Sequence, residues 1–294
     1  YTISYVEPNR NEGVVNMDQS IFTTFYLETK IFIDPFLGCN QTPRLLVAPI
    51  DRACSGVAFF HHPGAYDPDG DSLSYEMVIP FRDRNETVVN YQDPAANNPR
   101  LFYLNYGAGN GTRDGQPTFG IDPVSGELVW NAPGLQGEYN IAFIVKEWRK
   151  RDGVWVMMGF VRRDMQILVE DCDNNRPDLI LPQDTCVEAG TLLNATIFGI
   201  DPDSHPVKIE VFSEIFNFPP SLSPATYSPN PAVFQPSAPP AELDFSWQTT
   251  CDHVKDQYYQ VVVKISDEPS HGPSLVTFKT WRIKVVAPPP VWVS

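Results

Sequence analysis

Two stretches of this 294-residue chain carry the same landmarks in the same order. The first begins Cys39-Asn40-Gln41-Thr42-Pro43 and continues through Leu45-Leu46, Pro49, Asp51 and Cys54. The second begins Cys172-Asp173-Asn174-Asn175-Arg176-Pro177 and continues through Leu179-Ile180, Pro182, Asp184 and Cys186. Each then reaches an Asp-Pro-Asp loop, Asp67-Pro68-Asp69-Gly70-Asp71 in one and Asp201-Pro202-Asp203-Ser204-His205 in the other. Further on, Leu128-Val129-Trp130 loosely matches Asp244-Phe245-Ser246-Trp247, and the run from Tyr139 to Glu147 matches the run from Tyr259 to Asp267. Landmarks in register over this length define two copies of one module, larger than the short unit of a solenoid.

Within each copy the apolar pattern is that of strands. Runs at 73–79, 101–106, 127–130, 139–148 and 154–169 in the first, and at 192–200, 207–212, 258–266 and 275–286 in the second, are strand-length and rich in aliphatic and aromatic residues. Asp152-Gly153 supplies a tight hairpin turn between two of them. The 29 prolines are about twice the average usage of roughly 5% and argue against long helices. The expected fold is all-β, with antiparallel β-sandwich domains in tandem series. Residues 1–36 also read as strands (1–6, 21–28, 31–33), too few to close a sandwich alone, and are expected to end a preceding β-module. The first sandwich is then 37–172 and the second 173–287, with a proline-rich loop at 218–241 and a proline-rich linker at 288–294. Trp130 and Trp247 hold equivalent places and are expected in the two cores.

Twenty-one Lys and Arg against 36 Asp and Glu leave a formal charge of −15, which disfavours a nucleic-acid partner. No run approaches the ~18 apolar residues of a membrane span. The chain opens at Tyr1 without a Met and reads as a piece of a longer, processed protein. Five cysteines without a Cys-x-x-Cys pair point to disulfides in an oxidising, extracytoplasmic setting. The repeat suggests local pairs, Cys39 with Cys54 and Cys172 with Cys186, leaving Cys251 unassigned. The alternative joins Cys186 to Cys251 and leaves Cys172 unpaired.

Candidate chemistry is sparse. Asp67, Asp69 and Asp71 place three carboxylates on one loop, a density of hard oxygen ligands suited to calcium. His61 and His62 precede Pro63 at a turn and read as structural histidines. Arg149, Lys150 and Arg151, with Arg162 and Arg163 expected across the hairpin, read as a solvated tip. Gly-x-Ser-x-Gly, His-Glu-x-x-His, Walker and dinucleotide signatures are all missing, so catalysis is not expected.

Two resemblances sharpen this. Asp171-Cys172-Asp173-Asn174-Asn175-Arg176-Pro177 resembles the cadherin interdomain linker, Asp201-x-Asp203 its Asp-x-Asp motif, and Asp267 a further acidic ligand position. The segment from Phe119 through Asp122 and Gly126 to Leu128 resembles another cadherin motif. The likeness implies Ig/cadherin-like sandwiches with calcium at their junction, held by Asp171, Asp173, Asn174, Asn175, Asp201, Asp203 and Asp267. Glu147 holds the place of Asp267 in the first copy, so Asp67, Asp69, Asp71 and Glu147 form the matching candidate set.

A second resemblance covers most of the chain. Cys39-Asn40 with Pro43, Ala65 to Tyr75, Gly126 to Trp130, Gly137 to Tyr139, Arg163 to Ile167 and Asp171-Cys172 resemble repeats of gliding-motility-associated surface proteins of Bacteroidota. Arg10-Asn11-Glu12-Gly13 and Phe25-Tyr26-Leu27-Glu28-Thr29 are similar to what precedes such repeats. This implies export by the type IX route to the cell surface or beyond, and a non-catalytic structural or adhesive stalk segment. Its partners would be neighbouring modules of the same chain and a surface protein or glycan. The alternative is a ligand- or carbohydrate-binding accessory module of a secreted enzyme, using Trp148 and Trp155 beside the hairpin turn.

Overall fold

Asp152 and Gly153 adopt φ values of 49° and 82°, the left-handed pair that a two-residue hairpin turn with native twist requires. From that turn run the two longest strands of the chain's computed structural model, Gly137–Arg151 and Val154–Glu170. The structure describes residues 1–95 and 109–289, so the strand expected at 101–106 and most of the 288–294 linker lie outside the described residues. The described residues form two compact units, Tyr1–Asn175 with Pro269–Leu275, and Arg176–Glu268 with the chain from Val276 onward.

In the first unit the long hairpin is the spine of an eight-stranded sheet. Ser72–Val78 pairs with Gly137–Arg151 on one side. Phe25–Ile31 pairs with Val154–Glu170 on the other and carries Thr2–Glu7 on its own outer edge. A smaller sheet of Phe59–His61, Leu128–Asn131 and Thr118–Ile121 faces the hairpin. Between them lie Leu128, Trp130, Tyr139, Ile141, Phe143, Val145, Met165 and Ile167, all buried. Trp130 meets Tyr139 edge to face with ring centroids 4.8 Å apart, a geometry that adds to plain area burial.

Residues 1–36 therefore do not end a separate module. Phe25–Ile31 is an integral strand of this sheet, and Gly159 explains how it docks. A Cβ at Gly159 would collide with the backbone oxygen of Lys30, so glycine lets the two strands close up. The strand also brings Glu28 to within 3.7 Å of Arg162, both buried.

The second unit is a sandwich of a four-stranded and a five-stranded sheet. The first orders Asp178–Ile180, Leu192–Ile200, Ala241–Gln248 and Thr226–Ser228. The second orders Thr185–Glu188, Val276–Val286, Tyr259–Asp267, Val207–Phe212 and Phe234–Gln235. Its core holds Trp247, Phe245, Trp281 and Tyr259, with Trp247 in the place of Trp130. The proline-rich loop expected at 218–241 carries two short strands: Thr226–Ser228 and Phe234–Gln235 each add an edge strand to a different sheet.

Both units are all-β sandwiches, and both depart from purely antiparallel pairing at the same place. Ile50–Cys54 runs parallel to the end of Val154–Glu170, and Thr185–Glu188 runs parallel to Val276–Val286. A strand early in each copy is thus zipped to the last strand of the same copy. The repeat in the sequence is a repeat in topology.

Candidate functional site

The first acidic loop is shaped by its own leading carboxylate. Asp67 Oδ1 accepts the backbone N–H of Asp69 (2.9 Å) and of Asp71 (3.0 Å), while Gly70 takes φ 81° to complete the turn. Above it, the bulge between Glu147 and Trp148 in the long hairpin accompanies a fully buried Glu147. Asn40 donates its amide N–H to Glu147 Oε1. Asp67 Oδ2 and Glu147 Oε2 are buried without a hydrogen-bond partner. Burial pushes the Glu147 carboxyl up to about 7, reinforced by Asp67 and Asp71 and opposed by Asn40. Burial likewise raises Asp67 to about 6.

Arg149 lies across this loop. Its Nε donates to Asp71 Oδ1 at 2.8 Å and its Nη2 to Asp71 Oδ2 at 2.7 Å, a bidentate fork. The same side chain donates to the carbonyls of Leu37 (2.7 Å) and Cys39 (2.9 Å) and to Asn40 Oδ1 (3.1 Å). Asp69 is held from the other side by the backbone N–H and the side-chain amide of Gln41. The basic group is therefore not one solvated tip. Arg162 and Arg163 pair across the hairpin with Ile144 and Phe143, well away from Arg149, and Arg162 is buried over the Phe81 ring.

The second copy builds the same turn. Asp201 Oδ1 accepts the N–H groups of Asp203 and His205, each at 2.9 Å. His205 Nδ1 lies 3.7 Å from Asp201 Oδ1, Asp201 Oδ2 is buried without a partner, and Asp267 is fully buried. In each copy the three loop side chains bring ligand atoms within 4.8 Å of one another. Of the linker residues, Asp171, Asp173 and Asn175 are exposed, and Asn174 is buried with its amide 3.4 Å from the Pro273 carbonyl.

The cysteines pair differently from either expectation. Cys54 bonds to Cys172, with Cα atoms 5.8 Å apart, and Cys39, Cys186 and Cys251 are exposed free thiols. The parallel pairing supplies the reason: it places Cys54 beside Glu170, and the chain reaches Cys172 two residues later. Local spacing had pointed to a loop closure within each repeat, whereas the bond fastens an early strand of the first unit to its last.

The histidines are structural. His61 Nδ1 lies 3.0 Å from Asp51 Oδ2. His62 accepts the Gly64 N–H at Nδ1 (2.9 Å), and its Nε2 lies 2.9 Å from the Ser125 carbonyl, a pattern only the neutral Nε2–H tautomer satisfies. Burial, with His61 alongside, lowers it to about 4. Trp148 is half-buried and donates to Ser74 Oγ, while Trp155 is 49% exposed. Sequence reasoning missed the buried pair of Arg10 and Asp164, 2.7 Å apart. A signal existed, since both residues lie in motifs that carried the family resemblance.

The described residues define the class at the level of architecture, two all-β sandwiches in sequence order, each with an acidic Asx-turn loop. No protein-family model and no curated protein matches the chain. Among solved structures it is similar to the sialic acid-binding region of a Streptococcus sanguinis SK1 adhesin, at 11% identity over 84% of this chain and 78% of that one (TM-score 0.29). It is similar to tandem Ig repeats of Dlar at 12% over 84% and 98% (0.28), and to human CDH23 EC21-23 at 14% over 81% and 73% (0.23). Likeness at this level assigns neither a family nor a ligand.

Proposed function

We propose that the chain is a non-catalytic structural segment of a larger bacterial cell-surface or secreted protein, serving to present an adhesive element. The observation that carries this reading is where the reactive side chains go. His61 is fixed on Asp51, His62 between Gly64 and Ser125, Arg149 on Asp71 and Arg10 on Asp164, so groups that could perform chemistry serve as struts. The Cys54–Cys172 bond fits an oxidising compartment. Among the described residues no helix is long and apolar enough to cross a membrane. The gliding-motility and type IX assignments are supported by sequence motifs alone.

Calcium belongs to this reading in the second copy. Asp201 Oδ2, buried and without a partner, and the fully buried Asp267 fit a hard cation there, with Asp203 completing the set. A bound cation would add stiffness and stability to that loop by binding the folded state alone.

A second reading, a carbohydrate-binding accessory module, is favoured by Trp155, half-exposed beside the hairpin turn with Lys150 5.6 Å from its ring. A hydrolase and polysaccharide-binding screen separates these. The structural reading predicts no turnover and no binding that depends on Trp155. Turnover that survives repurification contradicts it, and polysaccharide capture abolished by Trp155→Ala replaces it with the second reading.

A further inference from the structure

We infer that Arg149 is a built-in counter-cation: its guanidinium takes the place beside Asp69 and Asp71 that a divalent ion would occupy, and so closes the first acidic loop to calcium. A guanidinium has five N–H donors in a fixed fork. All five of Arg149 are used: two on Asp71, one on Asn40 Oδ1, and two on the carbonyls of Leu37 and Cys39. An arginine so completely coordinated is a structural part of the loop.

The ligand count agrees. Calcium takes 6–8 oxygens at about 2.3–2.6 Å. Both oxygens of Asp71 face Arg149, and both oxygens of Asp69 face Gln41, with Arg149 Nη2 a further 3.5 Å from Oδ2. That leaves Asp67 Oδ2 and Glu147 Oε2 as buried oxygens of the cluster without a partner, too few for the ion.

The internal repeat supplies an independent argument. Counting from the matched pair Glu147 and Asp267, the position of Arg149 is held in the second copy by Pro269, and the position of Asp71 by His205. The second copy therefore has neither the acid nor the base. Two members of an ion pair are expected to vanish jointly, whereas a metal ligand needs no arginine and has no reason to depart with one. The two acidic loops share a backbone turn, and only the first lays an arginine across it.

The test uses the full chain with the second loop silenced by Asp201→Asn and Asp203→Asn, so it stands whether or not that loop binds calcium. Terbium, luminescent when bound near tryptophan, serves as the probe and calcium as the competitor. With Arg149 intact, the silenced chain is expected to give no calcium-competable signal. Adding Arg149→Gln is expected to create one, with at least a tenfold gain in affinity, and a further Asp71→Asn to abolish it. Competable binding at the first loop with Arg149 intact overturns the inference, as does a folded Arg149→Gln chain that gains none. Should Arg149→Gln fold only when calcium is present, that dependence itself supports the inference. Should it not fold at all, the Arg149-intact chain decides alone, and Arg149→Lys, which keeps the charge but loses the fork, must stay closed to the ion.

Discussion

Single buried residues set how this protein responds to pH. His62 is neutral in the folded state because its Nδ1 is already an acceptor and burial holds it down to about 4, against an ordinary value near 6.5. The folded value is the lower one, so the unfolded chain binds the extra proton first. Stability from this group is complete above roughly pH 6.5 and is lost as pH falls through 6.5 towards 4, by up to about 3 kcal/mol. Glu147 and Asp67, raised by burial, act in the opposite direction over this range, so urea titrations at several pH values should show the His62 slope in the difference between wild type and His62→Gln. An equal slope in both would contradict the assignment. Arg10 and Asp164, each with a side chain only 1% exposed, give a second residue-scale test. Arg10→Met strands a buried carboxylate and is expected to cost about 3–5 kcal/mol, whereas Arg10→Met with Asp164→Leu should recover most of that loss. Denaturant midpoints of the two variants check it.

At the scale of elements, the strands visible in the sequence were those with local signals. Leu192–Ile200 and Val207–Phe212 fall where their apolar runs begin and end, and Asp152-Gly153 marks its hairpin. The short parallel strands Ile50–Cys54 and Thr185–Glu188 were not legible. A strand of this length beside prolines has no period to read, and its partner lies at the far end of the same copy. The same non-locality hid the disulfide, the place of Phe25–Ile31 and the partners of Arg149, which come from Leu37, Cys39, Asn40 and Asp71. The acidic loops were legible as turns and as a repeat, because Asp-Pro-Asp encodes the Asx turn locally. Gly159→Ala tests the docking of Phe25–Ile31: hydrogen exchange at Thr29 to Ile31 should accelerate while Leu192–Ile200 stays protected. Unchanged protection at Thr29 to Ile31 would mean the close approach at Gly159 does not hold that strand.

For the whole molecule, two copies of one sandwich form two compact units, the first fastened across its own span by Cys54–Cys172. Each copy carries its own Trp-centred core, so each is expected to unfold as a cooperative unit. The two should differ in what reduction does to them. The bond joins residues separated by 118 positions, and by chain entropy a closed loop of that order contributes roughly 5 kcal/mol to the first unit alone. It also withholds the enclosed chain from extension, about 400 Å at 3.3–3.6 Å per residue. Single-molecule pulling of the full chain, with and without a reductant, is the most direct measurement. Two unfolding events are expected, of which only one lengthens, by about 400 Å, on reduction. A single event, or equal lengths with and without the reductant, would contradict that expectation.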